Sequence, residues 1–542
     1  MLLTRQQDVF LWGGREAEVE TLAKEAGLTL STTASRQKGH PVYFTPESHA
    51  VLHLWNHADG AARDNLGPLR AEWERSNLNV APAGFTVPVP EFCELMPFQV
   101  AGVHYARDRS NCLIGDAPGL GKTIQAIALA NLRGCKRVLV VCPANVRPQW
   151  ARQIKIWSTL PKVVVYPVFK SSDGVHPTAN YVITSFEVAR DGLWDTLRSY
   201  NWDLLVIDEG HYLKTPDAAR TRALFGASRQ SKCRYAGTGG IAEKAEQIVA
   251  LTGTPLPNRP RECFTLANAL DPSSIDWMNF NTFKDRFNPG GSDRETGATW
   301  EYVARLPELN ARLRCNFMVR RLKEDVLKDL PAKRYEIVPV EMTGQIAMAL
   351  HAEKMLDFDE EEMLRRSGGK IDGAISTVRR QMGEAMAPAV LEHLLTLLEG
   401  GVDKLVVFAH HHSVLSVIQG GLARYGVLRV DGSTSAKGKN QAVEKFKFDP
   451  RLKVFLGQMQ SIATGTDGLQ DVATHCVLAE ASWVHGDNEQ AVDRLHRMGQ
   501  KGSVLAQIMV APGSISERIL GRSISKGRTV QRVLDGAPVA AR

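Results

Sequence analysis

One eight-residue segment limits the folds open to this chain. Asp116-Ala-Pro-Gly-Leu-Gly-Lys-Thr123 follows a short apolar run, Cys112–Gly115, and opens a helical pattern, Ile124–Leu132. Gly119 and Gly121 let backbone N–H groups curl around an anion at the start of a helix. Lys122 then reaches the β- and γ-phosphates of a nucleotide, and the Thr123 hydroxyl is available to Mg²⁺. Asp116 stands where such a loop ordinarily begins with Gly; it is grouped here with the nucleotide-contacting residues. A chance Gly-rich turn is the competing explanation. The strand before the loop and the helix after it argue for the phosphate loop, and with it for a parallel sheet.

The surrounding pattern agrees. Short, nearly continuous apolar runs occur at Cys112–Gly115, Val138–Cys142, Val163–Tyr166, Tyr181–Thr184, Leu204–Asp208 and Ile248–Thr252. Runs of this kind, alternating with helical stretches, predict parallel strands covered on both faces. The alternation returns at Leu405–Phe408, Val427–Val430, Lys453–Leu456, Cys476–Ala479 and Leu505–Val510. Between the two sets, residues 256–400 read as helical, charged and poor in strands; Asp357–Arg366 predicts a solvated helix broken at Ser367–Lys370. Residues 226–247, rich in Gly, Ala and charge, read as a surface excursion. Near the N-terminus a strand is predicted at His40–Phe44 and helix from Pro46 to about Asn77, before a proline-marked connector through Pro82, Pro88, Pro90 and Pro97. The expected architecture is therefore α/β. It has an N-terminal accessory domain over 1–90, a first parallel-sheet lobe over 91–260, helical insertions and a linker over 261–400, and a second lobe with closing helices over 401–542.

Composition narrows the class. Of 542 residues, 44% are hydrophobic and 23% charged, which suits a globular chain and excludes a mainly disordered or collagen-like one. Lys plus Arg number 66 against 59 Asp plus Glu, a net +7. Residues 401–542 hold 18 basic against 12 acidic residues, so +6 of that excess lies in the last part, which favours a polyanionic partner there. The eight cysteines form no C-x-x-C pair, and several lie in apolar runs; they read as buried free thiols in a reducing compartment. No apolar run approaches the ~18 residues of a membrane span, and the first residues carry no signal-peptide pattern. The expected location is cytoplasmic, on the polyanion, or nuclear in a eukaryote.

Two further segments carry chemistry. Ile207-Asp-Glu-Gly-His211 ends an apolar strand, so its carboxylates emerge at the edge where a phosphate loop also opens. Asp208 would hold Mg²⁺ through water, and Glu209 would orient and activate an attacking water. An Asp-Glu pair on a surface is common and means little alone. In Gln490-Ala-Val-Asp-Arg-Leu-His-Arg-Met-Gly-Gln500, Arg494 and Arg497 stand at i and i+3; on a helix they would project from one face toward a transferring phosphoryl. The bland reading is two solvated arginines. His49, His53 and His57, spaced by four, could suggest a metal, but no carboxylate or Cys pattern joins them. Trp150, Trp157 and Trp194 read as packing residues, and His410–His412 as a loop.

The order of these segments resembles superfamily-two helicases, in which two RecA-like lobes share one ATP. Other segments make the chain similar to the Swi/Snf family of helicase-like DNA translocases, nearest in appearance to the HepA-related annealing-helicase branch. Met96-Pro-Phe-Gln-Val-Ala-Gly102 resembles the family's adenine-recognition segment and implies that Gln99 reads the base. Val138–Pro143 with Trp150 resembles its next motif. Leu251-Thr-Gly-Thr-Pro-Leu-Pro-Asn258 resembles its coupling motif, which implies coupling roles for Thr252, Gly253 and Thr254, together with His211. Phe317-Met-Val-Arg-Arg-Leu-Lys-Glu-Asp-Val326, with Leu330-Pro331, is similar to the family hallmark between the lobes. Arg429–Thr434, the Arg-x-x-Arg-x-Gly-Gln ending at Gln500, and Ser514–Ile519 complete the set; Gln490 joins the nucleotide-binding residues. The chain departs from the pattern at Ala117-Pro118, at Lys439 and over Ser461–Gln470.

The resemblance implies an ATP hydrolase using ATP and Mg²⁺, with Lys122, Asp208, Glu209, Arg494 and Arg497 as its catalytic residues. It implies a DNA motor acting on duplex or forked DNA, with residues 1–90 available to a protein partner. Two alternatives stay open: the motor subunit of a restriction or phage-defence complex, and a nucleotide-dependent clamp on DNA or protein.

Overall fold

A computed structural model describes residues 1–520 except 7, 15–17, 39, 230–232, 257, 258, 293–298, 356–372, 463–466, 483, 484 and 519. The helix expected at Asp357–Arg366 and its break at Ser367–Lys370 lie outside the described residues, as do Pro257–Asn258, Ile519 and the middle of Ser461–Gln470. The chain forms two units. Of the described residues, Met1–Ala117 and Gly121–Val326 belong to the first; Pro118–Leu120 and the chain from Leu327 to Leu520 belong to the second.

The first unit opens with an antiparallel sheet of β1 (Leu2–Gln6), β2 (Val9–Gly13), β3 (Thr29–Leu30) and β4 (Val42–Thr45), in the order β1-β2-β4-β3. Its main sheet holds β5 (Asn111–Ile114), β6 (Val138–Cys142), β7 (Val165–Pro167), β8 (Tyr181–Ser185), β9 (Leu204–Asp208) and β10 (Ile248–Leu251). A hairpin of β11 (Gly290–Ser292) and β12 (Thr299–Glu301) follows, and then β13 (Met318–Val319) returns to the main sheet. The main order is β13-β5-β10-β9-β6-β8-β7, with every pairing parallel. Period-2 alternation explains why these strands are apolar throughout. Leu139, Val141, Leu205 and Ile207 enter one core, while Val138, Val140, Leu204 and Val206 enter another on the opposite face.

The second unit carries β14 (Lys333–Pro339), β15 (Leu405–Ala409), β16 (Val427–Val430), β17 (Val454–Gln458), β18 (His475–Leu478) and β19 (Val504–Val510). They form one parallel sheet in the order β14-β19-β18-β15-β17-β16. Leu405 and Val407 face one core, Val406 and Phe408 the other. The two parallel-sheet lobes expected from the sequence are both present.

Three local expectations need correction. Residues 256–400 are not strand-poor throughout, since they supply edge strands to both main sheets: β13 pairs with β5, and β14 with β19. The first unit therefore runs to Val326, beyond the boundary expected at 260. Residues 226–247 are not simply a surface excursion. Tyr235 and Ile241 are buried in the first core, and Tyr235 packs edge-on against Trp194.

The N-terminal sheet belongs to the first unit through the helix Leu306–Asn316. Ala311 and Cys315 of that helix share a core with Leu3, Trp12 and Leu66. Polar anchors reinforce the contact. Trp73 Nε1 donates to Asn310 Oδ1 at 3.2 Å, Arg314 Nη1 to Ser76 O at 3.1 Å, and Arg312 Nη2 meets Glu47 Oε2 at 3.0 Å. The helix expected from Pro46 is interrupted: Ser48–Val51 is α-helical, Leu52–His57 is a 3₁₀ turn, and Gly60–Arg75 resumes the α-helix. His49, His53 and His57 consequently share no α-helical face. Burial, with the Arg312 charge, lowers His49 to about 4 and so keeps it neutral.

Candidate nucleotide site

The loop after β5 leads into the helix Lys122–Arg133. Gly121 is its N-cap, at φ +75°, and supplies no side-chain cap, so the first-turn amides are left without a capping acceptor from that residue. Gly119 is also left-handed, at φ +88°. Glycine at 121 has a second reason: a Cβ there would lie 2.4 Å from Gln99 Nε2. Gln99 is thus seated against the loop. It sits in the first turn of the helix Pro97–Arg107, and its Oε1 accepts from Met96 N at 3.0 Å. Lys122 Nζ donates to the carbonyls of Asp116 (2.9 Å) and Ala117 (3.3 Å). Burial lowers the Lys122 ammonium, against the opposing pull of Glu209, Asp116 and Asp208. Thr123 follows in the first turn, half-buried.

Asp208 ends β9. Its Oδ2 accepts from Trp150 Nε1 at 2.8 Å and its Oδ1 from Glu209 N at 3.0 Å. Burial and the adjoining Glu209 carboxylate push Asp208 up to about 6. Trp150 is therefore more than a packing residue, because its indole aims the strand-end carboxylate. Glu209 is held at φ +52°, an uncommon conformation for a side chain with a Cβ. Around it lies a compact polar group. Glu209 Oε2 is 3.2 Å from His211 Nδ1 and 3.5 Å from Thr252 Oγ1. Thr252 Oγ1 is 2.9 Å from His211 Nδ1 and accepts from Thr254 N at 3.1 Å. Gly253 offers its carbonyl to Arg320 Nη1 at 3.2 Å, and the same nitrogen donates to Gly115 O at 2.7 Å. The first-unit residues singled out in the sequence thus meet at the C-terminal ends of β5, β9 and β10.

Asp116 differs from its expected role. Its carboxylate is fully buried and both oxygens are engaged by protein. Oδ1 accepts from Arg321 Nε at 2.9 Å and from Arg321 N at 3.0 Å; Oδ2 accepts from Arg321 Nη2 at 2.6 Å and from Gln125 Nε2 at 2.8 Å. Arg321 also donates to Gln125 Oε1 at 3.0 Å and to Phe98 O. Gly102 makes room for this: a Cβ there would stand 2.0 Å from Gln125 Oε1 and 2.5 Å from Arg321 Nη2. Asp116 anchors the loop, and only its main-chain carbonyl meets Lys122. The sequence held a signal for Arg321: an acid directly after a buried apolar run is well placed to meet a buried cation, and the hallmark segment carries two arginines.

In the second unit the arginine segment is built differently from the sequence expectation. Gln490 lies on the helix His485–Val492, which stops before Arg494. Residues 493–499 continue as turns, with Arg494 N donating to Ala491 O and Leu495 N to Val492 O. Gly499 at φ +96° and the Gln500 amide, which donates to Leu495 O and Ala473 O, end the helical path. Arg494 and Arg497 are half-buried in this turn, and Arg497 Nη1 pairs with Asp467 Oδ1 at 3.2 Å. At the end of β15, Glu480 Oε2 accepts from the amides of His410 and His411, and its Oε1 lies 2.6 Å from His411 Nδ1. Lys439 donates to Ser461 O at 2.6 Å.

Comparison with known proteins gives consistent findings. The family description "SNF2-related domain" matches residues 98–382, and "Helicase conserved C-terminal domain" matches 387–499. The chain is 30% identical over 460 residues to a Bos taurus protein described as DNA annealing helicase and endonuclease ZRANB3, covering 82% of this chain and 41% of that one. It is also 30% identical over 512 residues to the Caenorhabditis elegans homolog of SWI/SNF-related matrix-associated actin-dependent regulator of chromatin subfamily A-like protein 1, covering 91% of this chain and 67% of the relative. It thus spans about two fifths of the bovine relative's length. A solved structure described as the Sulfolobus solfataricus SWI2/SNF2 ATPase core in complex with dsDNA aligns over 83% of this chain and 95% of its own, at TM-score 0.39 and 20% identity. Among the described residues, no helix is long and apolar enough to cross a membrane.

Proposed function

The chain belongs to the SNF2-related family, and from that premise we propose that it is an ATP-driven motor on DNA, hydrolysing ATP with Mg²⁺ and moving along or remodelling duplex or forked DNA. One observation carries the reading. An uncapped helix start, the Lys122 ammonium and the carboxylates of Asp208 and Glu209 converge at neighbouring strand ends within the first unit. That is the chemistry a nucleoside triphosphate needs: amides and an ammonium for the phosphates, and a buried acid for a cation.

Each residue then has a role. Gln99, seated against Gly121, reads the base. Gly119, Gly121 and Lys122 hold the β- and γ-phosphates. Thr123 and Asp208 would hold Mg²⁺, which when bound neutralises phosphate charge. Glu209 takes the proton from a water as its oxygen bonds to the γ-phosphorus, and the bond to the β–γ bridging oxygen breaks, leaving ADP and phosphate. Arg494 and Arg497, from the second unit, stabilise the charge on the moving phosphoryl. His211 and Thr252, in contact with Glu209, make hydrolysis depend on the arrangement of the Thr252–Thr254 segment. DNA would be held through its phosphates, so sequence preference is weak and salt dependence strong.

The test is ATP hydrolysis without nucleic acid, and then with single-stranded, duplex and forked DNA and with RNA, using Glu209→Gln as the blank. Stimulation by duplex or forked DNA is expected. Equal turnover under every condition would remove the DNA motor and leave an ATPase with another partner.

A further inference from the structure

The helix His485–Val492 ends before the two arginines it leads to, so something else must fix the turn that carries them. Lys333 does this structurally. Its Nζ donates to Glu489 Oε2 and to Asp493 Oδ1, each at 3.0 Å. Glu489 immediately precedes Gln490, and Asp493 immediately precedes Arg494. Tyr335 adds its hydroxyl to the other Glu489 oxygen at 2.5 Å, and His496 Nε2 lies 2.9 Å from Pro331 O. Residues 489, 493 and 496, spaced by four and three, all meet the short stretch 331–335.

Two features indicate more than packing. Glu489 and Asp493 are like charges one helical turn apart, which repel unless a cation stands between them. The strand that carries Lys333 is held independently of its ammonium: β14 runs in register with β19 from Lys333 beside Val504 to Pro339 beside Val510. Removing the charge therefore leaves the sheet ladder and takes from the arginine turn the tie at Glu489 and Asp493, while its contacts through Arg497, His496 and Gln500 remain.

We propose that Lys333 is a positioning residue for Arg494 and Arg497: by bridging Glu489 and Asp493 it fixes the turn that presents both guanidinium groups to the γ-phosphoryl. The proposal rests on the role given to those arginines under Proposed function. It also makes the first residues of the second unit a direct contact of its arginine segment, so a displacement of residues 327–332 reaches that segment within one side chain.

The experiment measures DNA-stimulated kcat and equilibrium ATP binding for full-length Lys333→Gln, Lys333→Arg, Arg497→Ala and Lys333→Gln/Arg497→Ala, with thermal melts alongside. Lys333→Gln is expected to lower kcat by about tenfold or more, as a misplaced catalytic group does, while ATP affinity stays within about twofold. Lys333→Arg retains most turnover. In the Arg497→Ala background, Lys333→Gln lowers kcat by a smaller factor than in wild type, because the share of its effect that runs through Arg497 is already lost and only the share through Arg494 remains. Wild-type kcat in Lys333→Gln overturns the proposal. So does a loss that repeats in full in the Arg497→Ala background or that tracks a lowered melting temperature. Wild-type turnover by Arg497→Ala instead removes the transition-state reading beneath the proposal, and the proposal falls with it.

Discussion

Replacing Arg321 with Met tests the anchoring of the phosphate loop. The guanidinium is 2% exposed and faces the fully buried Asp116 through two bonds, at 2.9 and 2.6 Å, with Gln125 and the Phe98 carbonyl as further partners. Met fills comparable volume but leaves Asp116 as a buried charge with only the Gln125 amide and one backbone N–H. Removing one member of a buried pair costs about 3–5 kcal/mol. In a unit this large each kcal/mol moves the midpoint by ~2 °C, so calorimetry of the full chain should show a transition lowered by about 6–10 °C. Arg321→Met/Asp116→Asn removes the stranded charge while keeping an acceptor for the Arg321 amide, and should regain about half the loss. The double variant would then lie ~2 kcal/mol above Arg321→Met, and the coupling between the two sites is that difference plus the cost of Asp116→Asn alone. A melt within about 1 °C of wild type for Arg321→Met, or a double variant no better than the single one, would show that Asp116 is solvated and the anchor is wrong.

Two further outcomes follow from the same geometry. Asp208, raised to about 6, holds a proton below that pH and is ionised above it. Since a proton and a cation compete for the carboxylate, the Mg²⁺ concentration for half-maximal ATP hydrolysis should be flat above about pH 7 and climb toward tenfold per unit below about 6; a requirement unchanged down to about pH 5.5 would contradict it. In the second unit Lys404 Nζ donates to three carbonyls, Phe446, Asp449 and Leu452, at 2.7, 2.9 and 2.7 Å. Lys404→Met strands all three and should cost about 3 kcal/mol, which a thermal melt reads as a drop of roughly 6–12 °C; an unmoved midpoint would mean that water replaces the ammonium.

The parallel sheets were legible because their central strands are apolar on both faces. Val138–Cys142 and Leu204–Asp208 stand where the runs predict them, and Leu405–Ala409 exceeds its run by one residue. Two of the edge strands lack that signal. Lys333–Pro339 is exposed along most of its length and falls within the stretch that reads as helical and charged, and Met318–Val319 is too short to show a period. The strand that ends in Asp208 and the loop that ends in Thr123 were visible as local patterns, whereas their partners come from far along the chain. Trp150 is 58 residues from Asp208, and Arg321 is 205 from Asp116. The i, i+3 spacing of Arg494 and Arg497 suggested a helix, but spacing alone does not reveal that Gly499 and Gln500 end the helical path early. Tyr235 and Ile241 were hidden by the small and charged residues around them.

The paired arginines at 320 and 321 have a consequence for how the phosphate loop can be disturbed. Between them they bond the carbonyls of Phe98, Gly115 and Gly253 and the carboxylate of Asp116, so the start of the Pro97–Arg107 helix, the loop after β5 and the segment after β10 share one short piece of backbone as their common fastener. Buried contacts of this kind are little screened by salt. The chain itself reaches them: five residues past Arg321 the first unit ends at Val326. The contacts that hold the loop thus end within five residues of the limit of the unit they hold together, and a substitution at either arginine loosens several segments of that unit at once.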